Sequence, residues 1–185
     1  MENLTQIINA ILIHGKADRY ELIINEFSNY IYAFVCSIVG SGEEAQDITQ
    51  EIFIKGYFSL KKLKEPKRFK SWISQIAYNE SINYLRKKKR GLDITFIDNI
   101  RYESVQLPDN SVEEIEIKAK TDKDIEMLRG AIMRLREEEQ YLIRAFYYEN
   151  RSIKDIEEIT GLSESNIKTK LHRIKKRLKD YITSK

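Results

Sequence analysis

Two prolines and seven glycines in 185 residues leave long stretches of this chain with nothing to interrupt a helix. Proline removes a backbone donor and glycine costs about 1 kcal/mol in a helix interior, so their placement marks where helices stop. Here they punctuate: Gly15, Gly40-Ser41-Gly42, Pro66, Gly91, Pro108 and Gly161. Between them apolar residues recur at helical spacing. A short run covers Ile7 to Ile13. A longer one sets Tyr20, Ile23, Ile24, Phe27, Ile31, Phe34, Val35 and Ile38 on one side. Further helices are expected over about 43–63 and 70–90, and from about 113 to 182 with breaks at Asn150 and Gly161. Residues 91–112 hold turn residues and no helical period. The pattern predicts an all-α chain of two small helical domains, 1–90 and 113–185, joined by a flexible linker at 91–112.

Several function classes drop out at once. One cysteine, Cys36, makes no disulfide framework, and two distant histidines, His14 and His172, make no zinc site. No glycine loop cradles a phosphate, and no nucleophile has a base at hand. Neither an enzyme nor a cofactor is therefore expected. No uninterrupted apolar run approaches the roughly 18 residues of a membrane span, so no membrane insertion is expected. The first residues lack the basic start and small-residue cleavage site of a secretory signal, which makes the cytoplasm the expected compartment.

The formal net charge of +3 hides a segregation. Residues 61–90 hold eleven basic and two acidic side chains, and residues 163–185 hold eight and two. Residues 91–140 carry seven basic and thirteen acidic ones. Two basic patches separated by an acidic stretch suit two contacts with a polyanion.

The second patch lies in a helix-turn-helix pattern over 152–182. Ser152 and Asp155 suit a helix start, Ile153, Ile156 and Ile159 make its apolar face, and Gly161 suits its end. Ser163 suits the cap of the next helix, where Ile167, Leu171, Ile174 and Leu178 form the core stripe. The opposite face presents Ser165, Thr169, His172, Arg173 and Lys176, with Lys168 and Lys170 beside it. Such a face can meet base edges in a major groove and phosphates beside it.

The N-terminal domain shows two further faces. On the 43–63 helix, Asp47, Gln50, Glu51 and Ile54 are spaced i, i+3, i+4, i+7, away from the apolar stripe of Ala45, Ile48 and Ile52. Tyr57 and Phe58 border them. Acid, amide and aliphatic side chains with aromatic edges suit protein docking. On the 70–90 helix, Trp72, Gln75, Asn79, Asn83 and Arg86 share one polar sector. Amides pair with base edges and rings stack on unpaired bases. Lys67 and Arg68 before the helix and the run Arg86 to Arg90 at its end suit phosphates.

The segments AQDITQEIFIKGY, FKSWISQIAYNESINYLRKKKR and EEEQYLIRAFYYENRSIKDIEEITGLSESNIKTKLHRIKKRL together resemble a bacterial RNA polymerase sigma factor. The group is the extracytoplasmic-function (ECF) branch of the sigma-70 family. The resemblance implies that Asp47, Gln50 and Glu51 dock on core RNA polymerase. It implies that the region from Phe69 to Arg86 captures the minus-ten element of promoter DNA. Lys168, Thr169, His172 and Arg173 would read the minus-thirty-five element, and an anti-sigma factor would hold the protein inactive. Two positions depart from the family pattern. Leu135-Arg136 stands where Leu-Pro is usual, and Asp155-Ile156-Glu157 where Glu-Ile-Ala is common. The residues alone also fit a self-standing helix-turn-helix regulator with a dimerisation or sensing domain.

Overall fold

The computed structural model describes residues 3–91 and 122–183, all of them helix, turn or irregular chain with no strand. The chain divides into two units whose boundary falls within the undescribed segment 92–121. The expected linker therefore lies, apart from Gly91, outside the described residues.

The N-terminal unit contains α1 (Leu4–His14), α2 (Tyr20–Val39), α3 (Glu43–Ser59) and α4 (Phe69–Gly91). Helix α1 begins three residues earlier than its apolar run. Asn3 caps it, and Gln6 returns a side-chain acceptor to the Asn3 backbone N–H. Helices α2, α3 and α4 pack against one another in pairs. Ile23, Phe27, Ile31 and Val35 of α2 meet Ile48, Ile52 and Phe53 of α3 and Phe69, Ile73 and Ile82 of α4 in one buried core. Phe27 and Phe69 stack edge to face at 5.1 Å, a favoured ring geometry.

Residues 17–39 have the length and mean hydropathy, 1.4 over an 18-residue window, of a membrane span. Scattered polar residues break the apolar run there. Those polar residues also explain the fold: Glu21, Asn25, Glu26 and Asn29 stay exposed while the opposite side of α2 is core.

One close approach organises this unit. A Cβ on Gly56 would meet the Tyr20 hydroxyl at 2.7 Å and Ile73 Cδ1 at 2.9 Å. Glycine in mid-helix thus lets α3 sit tight against α2 and α4. The Tyr20 hydroxyl donates to the Phe53 carbonyl at 2.9 Å, and burial pushes its pKa well up.

The C-terminal unit contains α5 (Asp122–Met133), α6 (Glu137–Ile143), α7 (Ile153–Thr160) and α8 (Glu164–Thr183). Helix α6 runs on into a π turn, Arg144–Tyr148, closed by the Glu149 N–H on the Arg144 carbonyl at 2.9 Å. The unbroken helix expected up to Asn150 is in fact interrupted at Arg134–Arg136. The reason is local. Leu135 turns into the core, and Arg136 is extended. The Glu139 carboxylate accepts the Arg136 N–H, and Gln140 donates to the carbonyls of Met133 and Leu135. The breaks at Asn150 and Gly161 stand where the sequence puts them. Ile156, Ile159, Ile167, Leu171, Ile174 and Leu178 close the core with Tyr141, Leu142 and Ile143.

Candidate functional site

Three exposed helix faces carry the expected site residues. The first is on α8. Its orientation is set by a capped start and a buried stripe. Ser152 caps α7 in a reciprocal pair with Asp155, and Gly161 ends α7 in the left-handed conformation, φ 72. The Asn166 N–H reaches the Ser163 hydroxyl at 3.4 Å at the start of α8. With Ile167, Leu171, Ile174 and Leu178 buried, Ser165, Lys168, Thr169, His172, Arg173 and Lys176 all face solvent. The Thr169 hydroxyl donates back to the Ser165 carbonyl at 2.8 Å. Lys168 pairs with Glu164 one turn earlier, and that pair lowers the Glu164 pKa. Glu139 braces α8 from behind. It is 6% exposed and accepts from Arg177 at 2.7 Å. Burial pushes its carboxyl up, but the hydrogen bonds from Arg177 and from the Arg136 N–H outweigh that and hold its pKa below the usual range.

The second face is on α4. Asn79, Asn83 and Arg86 are exposed, and Gln75 is half-buried on the same side. Lys67 and Arg68 lie exposed in a 3-10 turn that Pro66 opens. Trp72 is neither a core residue nor free: it is half-buried and tilts against Phe69 with ring centroids 5.6 Å apart. Lys70 crosses to α2, its ammonium 4.5 Å above the Tyr30 ring.

The third face is on α3. Asp47, Gln50, Glu51 and Ile54 are exposed together, and Ile54 at 57% and Phe58 at 74% are large apolar side chains left in water. Tyr57 stacks edge-on against both Tyr20 and Phe58, which fixes the aromatic border. The sequence reading did not find the partners of Glu51. Lys55 lies 2.7 Å from Glu51 and also binds Glu80 of α4. The Glu51–Lys55 spacing of i, i+4 was legible, whereas Glu80 becomes visible only once α3 and α4 are packed. The hydrogen bond to Glu51, then that to Glu80, raises the Lys55 pKa. Among the described residues no cluster of His, Cys, Asp and Glu is built to hold a metal ion.

Two family models match the chain, Sigma-70 region 2 over residues 23–91 and Sigma-70, region 4 over residues 125–178. The sequence is 27% identical over 180 residues to the ECF RNA polymerase sigma factor SigW of Bacillus subtilis, covering 90% of this chain and 92% of that protein. It is 29% identical over 159 residues to the ECF RNA polymerase sigma factor SigM of the same organism, covering 85% and 91%. The fold is similar to that of CnrH in complex with the cytosolic domain of CnrY, with a TM-score of 0.56 at 14% identity over 98% of this chain and 99% of that one. It is also similar to the sigma factor RpoE of Bartonella quintana, solved with the anti-sigma factor NepR. There the TM-score is 0.56 at 19% identity over 88% and 96%.

Proposed function

This chain belongs to the ECF group of the sigma-70 family and is a sigma factor that directs transcription initiation, and from that premise we propose which face does what. The α3 face of Asp47, Gln50, Glu51 and Ile54 docks on core RNA polymerase. The α4 face of Trp72, Gln75, Asn79, Asn83 and Arg86, with Lys67 and Arg68, captures the unpaired bases of the minus-ten element. The α8 face of Ser165, Lys168, Thr169, His172, Arg173 and Lys176 reads the duplex minus-thirty-five element. The domains act as 1–90 and 113–185 about the 91–112 linker.

The protein is a non-enzymatic specificity subunit working in the cytoplasm. Its binding free energy offsets the cost of unstacking bases, a few kcal/mol per base, while polymerase supplies the chemistry. An anti-sigma partner restrains it, as the complexes of its structural relatives suggest.

One observation carries this assignment: α3 leaves acids, an amide and apolar side chains exposed together, while α4 and α8 expose amides, hydroxyls and cations. A self-standing regulator needs no such acidic docking face. Reconstituted transcription tests it. Core polymerase should start from a cognate promoter only with this chain added. Lys168→Ala or Arg173→Ala should relax upstream preference by about 1–3 kcal/mol if the contact is to a base edge. Asn79→Ala and Asn83→Ala should impair opening and be partly rescued on a pre-melted template. A symmetric dimer on a palindrome, with no gain in polymerase initiation, would favour the regulator instead.

A further inference from the structure

The Lys55 ammonium sits between two carboxylates. Glu51 belongs to the exposed α3 face, and its side chain is 55% exposed. Glu80 comes from α4, with its side chain only 20% exposed. Lys55 is itself 43% exposed, so the three groups form a partly covered bridge from one helix to the other. Their formal charge is −1. Without Glu80, the Lys55 ammonium would be given over to Glu51 alone as a closed i, i+4 pair, and Glu51 would lose much of its attraction for a cation. With Glu80 in place, the cation is shared, and Glu51 keeps acceptor capacity for an incoming donor.

We propose that Glu80 is a positioning residue for the α3 docking face. It holds Lys55 back from full neutralisation of Glu51 and so tunes the face for a basic partner surface. The inference rests on the docking assignment given above. It adds a residue from a different helix, outside the face itself and outside the α4 face of Asn79 and Asn83. The partner surface it implies presents an arginine or lysine to Glu51, because a cation gains most from the freed carboxylate. Contacts of this kind act on association and are screened by salt.

The test is a mutant cycle in the full chain, read as affinity for purified core RNA polymerase that binds the unmodified protein. Glu80→Gln should weaken binding about three-fold at low salt, the scale of one exposed ion pair. That loss should shrink as salt rises. Lys55→Gln should tighten binding about two-fold by releasing Glu51. In the Lys55→Gln background, Glu80→Gln should have little further effect, since no cation is left to hold. An equal loss from Glu80→Gln in both backgrounds would overturn the proposal, because Glu80 would then act by its own charge or through the fold. A salt-independent loss would overturn it as well. Glu51→Gln separates the two levels. If it weakens binding while Glu80→Gln does not, this inference alone fails. If Glu51→Gln leaves binding unchanged, the docking assignment fails and takes this inference with it.

Discussion

In the N-terminal unit, α2, α3 and α4 are 20, 17 and 23 residues long, and their mutual packing buries a stripe along each. In the C-terminal unit, α6 and α7 have only 7 and 8 residues, too short to be stable alone. Beside their buried faces, chemistry at their ends fixes where α6 and α7 start and stop: the Glu139 and Gln140 bonds at the break before α6, and the Ser152–Asp155 pair and Gly161 at the two ends of α7. One unit thus depends on how closely long helices approach, while in the other the short helices add end chemistry to the core they share with α8. The difference teaches where each tolerates change. Side chains along α3 and α4 can vary on the outside while Gly56 cannot, whereas α7 is vulnerable at its termini.

The largest expected effect would break the N-terminal half of that comparison. Gly56→Val must displace Tyr20 and Ile73 and should cost about 3 kcal/mol. Amide hydrogen exchange reads the units separately. Protection should fall in α2–α4 and hold in α6–α8; an equal loss in both would show that the units are not held independently.

Next comes Glu139→Gln, which should cost the C-terminal unit about 1–2 kcal/mol, discounted because Arg177 is half exposed. The folded pKa of Glu139 is lowered, so its contribution is complete above the ordinary carboxylate value of about 4.3 and is lost as pH falls through the folded value. Acid titration of unfolding should therefore be less steep in the variant. Ser152→Ala should cost about 1 kcal/mol, the worth of a helix cap, and fray α7 first.

The smallest change in stability sharpens the contrast. Replacing Asp47, Gln50 and Glu51 together by alanine should shift unfolding by only about 0.5 kcal/mol, since all three are exposed. Core polymerase binding should nevertheless collapse. Retained binding by the folded triple variant would remove α3 from the docking role.

These contrasts also explain what could be read from the sequence. End devices are local, so Ser152, Gly161 and Ser163 announced the helix-turn-helix within a dozen residues. Stripes at helical spacing likewise exposed the α3, α4 and α8 faces. The break at Leu135–Arg136 went unseen because no breaker residue marks it; it depends on Leu135 entering the core and on Glu139 reaching back. Gly56 carried no local signal, since its requirement comes from Tyr20 and Ile73, which lie 36 and 17 positions away along the chain. The half-buried state of Trp72 and the bridge from Glu51 through Lys55 to Glu80 were hidden for the same reason.

Gly161 joins α7 to α8, and it does so at φ 72, ψ 7. For an amino acid of natural handedness those angles are strained, but for its mirror image they are ordinary. The backbone part of a methyl group's effect at this joint is therefore set by chirality. L-alanine at 161 should cost about 1 kcal/mol, whereas D-alanine, introduced by peptide ligation, should add about 0.4–1 kcal/mol by restricting the unfolded chain. Two molecules of identical composition and charge would then differ only in how firmly the joint between α7 and α8 is held.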